Sequence, residues 1–308
     1  MQKSYIITGG AGFIGSHTVD ALVGLGEKVT ILDIKPYSEA VNIHHQKDKI
    51  TYIEGDIRDT KLLLKLFKDH THVLHLAAIV SVPLSIENPI ETHDTNVNET
   101  LSVLDAARRS NIKRVVYASS AAVYGDTSLV PTKEDSKLSP MSPYGLHKLM
   151  NEHYAKLYTN VYGVETVGLR YFNVFGKRQD PSSPYSGVIS IFADRLRRDE
   201  QVTIYGDGSA TRDFVHINNI VSANLEALNV ENIASNIFNV GSGTETSISK
   251  LFSTMNSIAG KNHTAKHKDN RDGDIQRSCA SIEKISKETG YNIKTSLEDG
   301  LGDVLSIV

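Results

Sequence analysis

The tightest constraint on what this chain can fold into lies in its first fifteen residues. A short apolar run, Ser4-Tyr5-Ile6-Ile7-Thr8, passes straight into Gly9-Gly10-Ala11-Gly12-Phe13-Ile14-Gly15 and then into an amphipathic stretch. A strand that ends on glycines and restarts as a helix aims bare backbone amides at one point, where an anion can sit. Two frames overlap: Gly10, Gly12 and Gly15 carry the dinucleotide-binding spacing, and Gly9, Gly12 and Gly15 are spaced by three. Glycines there serve the tight turn, the approach of a pyrophosphate, and the packing of helix on strand. Asp33 closes the next apolar run, about 20 residues on, where a carboxylate accepts hydrogen bonds from ribose hydroxyls and repels a 2′-phosphate. NAD is favoured over NADP, with Lys35 nearby weakening the preference. The bland alternatives, a plain glycine turn and a turn-closing aspartate, fit the strand–turn–helix context less well.

The same rhythm continues to about residue 170. Strands are predicted at 4–8, 28–32, 50–53, 72–76, 114–118 and 165–169, and helices at 12–25, 60–68, 98–110 and 143–162. The strands are rich in Val, Ile and Tyr, and several lack polar alternation, as strands buried on both faces do. Strand–helix–strand repetition implies parallel pairing with right-handed crossovers, hence an α/β doubly wound sheet. After residue 171 the pattern changes. A polar, proline-bearing loop spans 177–186, then helices are predicted at 188–197, 217–228, 247–258 and 282–287, with strands at 202–204 and 236–240. This reads as residues 1–170 forming an NAD-binding domain, part of 213–240 returning to it, and 171–308 forming a smaller lobe.

A formal net charge of −3 gives no global positive field to draw in nucleic acid or an anionic membrane, so a phosphate-bearing ligand must be held by local groups. No stretch approaches the roughly 18 apolar residues of a membrane span, and no signal segment is expected ahead of the first strand. Cys279 is the single cysteine, which excludes an internal disulfide and suits a reducing compartment; a cytoplasmic location is expected. The histidines, including the pair His44 and His45, lack a metal-ligand pattern, and no metal is expected.

A second constellation lies at Tyr144-Gly145-Leu146-His147-Lys148, behind Ser142 as N-cap and Pro143. Four-residue spacing puts Tyr144 and Lys148 on one helix face. A tyrosine of pKa ~10 is a poor base near neutrality, and an ammonium and a positive nicotinamide ring would both favour its phenolate. Lys148 is also placed to hold the nicotinamide ribose. The strand before this helix ends in Ser119 and Ser120, at the carboxyl edge where ligands of open α/β sheets bind. Taken alone, Tyr-x-x-x-Lys is more often a surface pair.

With these residues in place, the sequence resembles the extended short-chain dehydrogenase/reductases, and within them the nucleotide-sugar 4-epimerases. The resemblance is carried by TGGAGFIGSH at 8–17, GDIRD at 55–59, HLAA at 75–78, SSAAVYG at 119–125, SPYGLHK at 142–148, RYFNVFG at 170–176, GDGSATRDFVHI at 206–217 and RDGD at 271–274. It implies a Rossmann sheet with a nucleotide-sugar-binding lobe, NAD as cofactor and a UDP-sugar as substrate. It implies that Gly9, Gly12, Phe13, Ile14, Gly15, Asp33, Asp56, Ile57, Ala77, Asn96, Tyr144 and Lys148 contact the cofactor. Ser120 matches the catalytic hydroxyl, Tyr144 the base and Lys148 its partner. Tyr171 and Asn173 fall on the substrate side, Asn173 matching the asparagine at the diphosphate. Arg212 and Arg271 match arginines that clamp the diphosphate and its ribose, which suits planar guanidinium groups. Val188 and Tyr205 are expected along the nucleoside.

The implied reaction oxidises C4 of the sugar, lets the 4-keto sugar turn, and reduces it on the other face. Related 4,6-dehydratases carry an Asp-Glu pair after the catalytic hydroxyl, where this chain has Ala121 and Ala122; dehydration is disfavoured. Ser278 matches a position where a tyrosine confines some epimerases to non-acetylated sugars, so both UDP-glucose and UDP-N-acetylglucosamine are expected to enter. The family often has an aspartate near Asn218 and Asn219. Two other readings stand beside this one: a different nucleotide-sugar oxidoreductase (a 4,6-dehydratase, C-4 reductase or decarboxylase), and a non-catalytic NAD-binding scaffold, which would be expected to lose Tyr144 or Lys148. Tyr154, Tyr158 and Tyr162 recur every four residues as a helix face. That helix and residues 98–110 resemble the pair that forms a four-helix interface in the family, so the resemblance implies a homodimer.

Overall fold

The computed structural model describes residues 3–306 apart from 111, 128, 181–186, 232, 234–236 and 271–274. Seven strands form one parallel sheet: β1 (Ser4–Thr8), β2 (Lys28–Asp33), β3 (Ile50–Glu54), β4 (His72–His75), β5 (Arg114–Ser120), β6 (Glu165–Tyr171) and β11 (Ile237–Val240), in the order β11-β6-β5-β4-β1-β2-β3. The order reverses at β1, which pairs with β2 on one side and β4 on the other. A crevice opens at such a switch point, outside the carboxyl ends of the strands. The strand at the end of 213–240 does join this sheet, since β11 pairs with β6.

Helices cover both faces because the strands are apolar on both sides. On one face α1 (Phe13–Gly24) and α8 (Ile217–Asn229) bury Val19, Leu22, Ile220 and Ala223 against Ile7, Ile31 and Val116. On the other, α2 (Thr60–Phe67), α5 (Glu99–Arg108) and α6 (Pro143–Tyr162) bury Leu63, Phe67, Val103 and Tyr158 against Ile6, Val73 and Val115. A separate apolar core joins α7 (Val188–Arg197), α9 (Ile248–Ile258) and α11 (Leu297–Leu305) through Phe192, Leu251, Met255 and Leu301. Short strand pairs flank it: β7 (Asn173–Phe175) with β10 (Phe214–His216), β8 (Thr203–Tyr205) with β13 (Lys266–Lys268), and β9 (Thr211–Arg212) with β12 (Thr246–Ser247). Helix α10 (Glu283–Thr289) packs beside β11.

Several elements depart from the sequence expectation. Strand β5 runs two residues past 118, because Ser119 and Ser120 stay in register with Arg170 and Tyr171 of β6. Helices α3 (Val82–Glu87) and α4 (Pro89–His93) and the π-turn Asp94–Asn98 were not expected; each is too short for its apolar period to be read. Helix α11 is a further one, capped by Ser296, whose hydroxyl accepts from the Asp299 amide at 3.1 Å. Asn218 and Asn219, whose place is often acidic in the family, fasten α8 to a neighbouring segment: Asn219 Oδ1 accepts from the amides of Lys294 and Thr295 at 2.9 and 3.1 Å, and Asn218 Nδ2 donates to Thr295 Oγ1 at 3.3 Å.

Candidate active site

The glycine turn makes a cradle that side chains would destroy. Gly9 has φ +70°, and a Cβ there would lie 2.8 Å from the Ala77 amide nitrogen. A Cβ on Gly15 would meet the Gly9 carbonyl oxygen at a distance no real pair keeps. Asp33 reaches back across the turn, its Oδ2 accepting from the Ala11 amide at 2.9 Å and its Oδ1 from Lys35 N at 3.1 Å. From here a cavity of about 1260 Å³ runs along the carboxyl edge of the sheet. Gly9, Gly12, Phe13, Ile14, Gly15, Asp33, Asp56, Ile57 and Ala77 line its first half, and Ser120, Tyr144, Lys148, Tyr171 and Asn173 its second. A strand-end carboxylate, a glycine cradle at a helix N-terminus and an elongated cleft fit an NAD molecule.

At the middle of the cavity α6 meets the end of β5. Ser142 caps the helix by accepting from Gly145 N at 3.1 Å, and Pro143 fills its first position. The amide of Tyr144 is also engaged, donating to Ser85 Oγ at 3.1 Å. Lys148 Nζ donates to the Ala118 carbonyl at 2.9 Å and lies 5.7 Å from the Tyr144 ring centroid. Tyr144 shares a hydrogen bond with the Ser120 side chain. Burial pushes the Tyr144 phenol up to about 12, with the Ser120 bond pulling the other way. Burial likewise lowers the Lys148 ammonium to about 8. The sequence expectation has the ammonium and the nicotinamide ring together lowering the phenol; with the protein's groups alone, burial sets the direction and it is upward. The protein's own groups leave Tyr144 protonated near neutrality, so a further positive charge beside it is what would favour the phenolate.

The other expected residues are not all brought to this cavity. Asn96 lies behind its wall, with its carboxamide accepting from Ile79 N at 2.8 Å and donating to Ile79 O at 2.9 Å. It holds the cavity-lining Ile79 rather than lining the cavity itself. Val188 begins α7 and packs toward the second core, leaving Gly187 at the cavity. Tyr205 ends β8, and Arg212, on β9, donates to the Thr211 carbonyl at 2.9 Å; neither lines the cavity. Ser278 is buried, between Gln276, which accepts from Thr211 N, and Cys279, which accepts from Thr132 N. Arg271 and the rest of 271–274 lie outside the described residues, as does most of the 177–186 loop.

Some residues had not been expected. Arg58 and Glu99 line the cofactor half beside Asp56. Arg58 makes a two-pronged contact with the Asp56 carboxylate, and its Nε stands 3.5 Å from Glu99. Burial, then the Asp56 charge, pushes Glu99 up to about 7. Arg58 stands inside the GDIRD motif and was within reach of sequence reading; Glu99 is an unmarked helix residue. Asp213 is fully buried and ties three segments together. Its carboxylate accepts from Ser242 N and Oγ, both at 2.6 Å, and from Gly243 N and Ala280 N, both at 3.0 Å. Its carbonyl accepts from Asn173 N at 3.0 Å.

Fold and site together define an NAD-binding enzyme with a tyrosine–lysine centre at the switch point of a doubly wound sheet. The NAD dependent epimerase/dehydratase family matches residues 5–241, and the chain belongs to that family. The UDP-glucose 4-epimerase of Mycolicibacterium smegmatis is 35% identical, over 96% of this chain and 95% of that protein. A UDP-N-acetylglucosamine 4-epimerase from Methanobrevibacter ruminantium, solved with UDP-N-acetylmuramic acid, superposes with a TM-score of 0.94 at 36% identity, covering 99% of this chain and 97% of the other. The UDP-glucose 4-epimerase of Thermotoga maritima, solved with UDP-glucose, gives 0.92 at 34%, covering 98% and 97%.

Proposed function

We propose that this protein inverts C4 of a UDP-hexose, interconverting UDP-glucose with UDP-galactose and accepting the 2-N-acetylated pair as well. The observation that carries the reading is the convergence of Tyr144, Ser120 and Lys148 midway along one cavity. The glycine cradle lies at one end of that cavity and Asn173 at the other. NAD, when bound, supplies the acceptor for the hydrogen and electron pair that leave C4, and returns them. Tyr144 Oη takes the proton of the 4-hydroxyl and gives it back, while Ser120 holds the sugar oxygen at hydrogen-bonding distance of Tyr144. Lys148, anchored on Ala118, keeps positive charge beside the phenol. Asn173, Arg212, Tyr205, Val188 and Arg271 are assigned to the nucleotide diphosphate and nucleoside, and Ser278 to the sugar end. Residues 1–170 with part of 213–240 are assigned to the cofactor, and the lobe formed by 171–308 to the sugar nucleotide. Ala121 and Ala122 follow Ser120 in a single 3-10 turn, so those positions supply no acid–base pair for removing water.

A second copy of the chain is assigned to the face of α5 and α6. Leu157, Val161 and Tyr162 are exposed there, next to a shallow cavity lined by Leu101 and Tyr158. A monomeric mass at micromolar concentration would contradict this. The single cysteine is consistent with a cytoplasmic setting. Assay against UDP-glucose, UDP-N-acetylglucosamine and UDP-glucuronate tests the activity: epimerisation conserves mass, whereas dehydration, reduction and decarboxylation do not.

A further inference from the structure

Three consecutive residues at the end of β5 are each held by α6, through side chains four residues apart on one helix face. Ala118 is held by Lys148, and Ser120 by Tyr144, both at the cavity. The third hold runs from the cavity wall inward: Ser119 lines the cavity, and Glu152 lies behind it. Ser119 Oγ donates to Glu152 Oε1 at 2.5 Å, with Ser119 and Glu152 both buried. Arg170 on β6 fixes that carboxylate from the other side, with Nε on Oε1 at 2.8 Å and a terminal nitrogen on Oε2 at 2.7 Å. Its remaining nitrogen donates to Tyr124 Oη at 2.6 Å and to the Glu134 carbonyl at 2.9 Å. Tyr124 in turn donates to Asn239 Oδ1 on β11 at 2.7 Å. The network therefore spans α6, β5, β6 and β11 beneath the reacting centre.

A buried ion pair of this kind is a weak device for stability, because the desolvation of both charges offsets most of their attraction. Its geometry offers a different use. We propose that Glu152 is a positioning residue: held rigid by Arg170, it grips Ser119 and so fixes where Ser120 stands against Tyr144 and Lys148. Without that grip the tip of β5 is registered on α6 only through the Lys148–Ala118 bond and the Ser120–Tyr144 contact itself. Proton exchange among a hydroxyl, a phenol and a sugar tolerates misplacement of only a fraction of an ångström. This inference rests on the reading of Tyr144 as the base.

The test compares Ser119→Ala, Ser119→Thr and the double variant Glu152→Met with Arg170→Met. Each is assayed on UDP-glucose with kcat and KM resolved, and each is checked for thermal midpoint and retained NAD. Ser119→Ala should lower kcat about tenfold, leave KM within twofold and retain NAD, and Ser119→Thr, which keeps the hydroxyl, should restore kcat. The double variant, apolar in both positions, should keep its thermal midpoint and lose kcat by at least as much. A kcat for Ser119→Ala within twofold of the unaltered enzyme would overturn the proposal, as would a loss that Ser119→Thr fails to restore. Should the double variant not fold, the two Ser119 variants decide alone. Tyr144→Phe is run alongside: an inactive Tyr144→Phe with an unaffected Ser119→Ala sinks only the brace, whereas an active Tyr144→Phe removes the reading beneath it.

Discussion

The two halves of the cavity are built by different means. Apart from Glu99, at the start of α5, the groups named in the cofactor half come from turns that follow strands β1 to β4, a few residues from a strand end in the same sheet. The far half is lined by Tyr171, Asn173 and Val174, and the segments behind it, 173–175, 242–243 and 280, are tied together by one buried carboxylate, Asp213. The first half is a local geometry repeated along an edge; the second depends on long-range contacts. Motif spacing can specify a local geometry, whereas a grip built across segments depends on how they pack.

The largest expected effect lies where the halves meet. Tyr144→Phe should cut turnover by about 10²–10⁴-fold and leave NAD bound, and a turnover assay with a measurement of retained NAD checks both. In the cofactor half, Gly9→Ala should abolish NAD retention. The added Cβ faces the Ala77 amide, and the φ of +70° is one an alanine adopts only with strain. NAD titration of the purified variant would show it, and undiminished affinity would mean that the cradle is not where the cofactor sits. In the other half, Arg212→Ala should raise KM by about tenfold or more with little change in kcat, which steady-state kinetics separates. An equal fall in kcat would blur the division between the halves.

Acid should act on the sheet beneath the cofactor half. Burial lowers His72 to about 4 and His75 to about 3. Both stay neutral in the fold and charge in the unfolded chain below the ordinary value of 6.5, so their stabilisation is complete above 6.5 and is lost as pH falls toward 4 and 3. Glu99, raised to about 7, keeps a proton that the unfolded chain releases, and offsets one histidine between 7 and its ordinary 4.5. Net loss from these three groups should be about 1.4 kcal/mol per pH unit between 6.5 and 4.5. Urea midpoints at pH 5, 6 and 7 check it, and a midpoint that rises toward pH 5 would contradict it. The smallest effect is expected from Ser278→Tyr, a few-fold fall in the preference for N-acetylated over plain UDP-glucose. Unchanged relative turnover would show that this buried position does not face the sugar.

The sheet, its main helices and the glycine turn with Asp33 behind it were legible because strand period and glycine spacing are local signals. Tyr144 and Lys148 were legible through a cap, a proline and a four-residue spacing. The pKa of Tyr144 was not, since it depends on burial that only the assembled fold supplies. Asn96 was placed along the cofactor by resemblance; its carboxamide instead holds the backbone of Ile79. Asp213 stands inside the motif at 206–217 and Glu152 in none of those quoted, but the role of each depends on partners between 18 and 67 residues away. Short elements such as α3 and α4 escaped because two turns of helix give no readable period.

One measurement tests the central claim most directly. The purified protein is incubated with UDP-glucose carrying deuterium at C4, and the products are followed by mass and by NMR. Inversion through the Tyr144 centre predicts a mixture of the two C4 epimers, unchanged in mass, with deuterium still at C4 in both. Loss of water from the sugar, or epimers whose C4 deuterium has washed out into solvent, would contradict it.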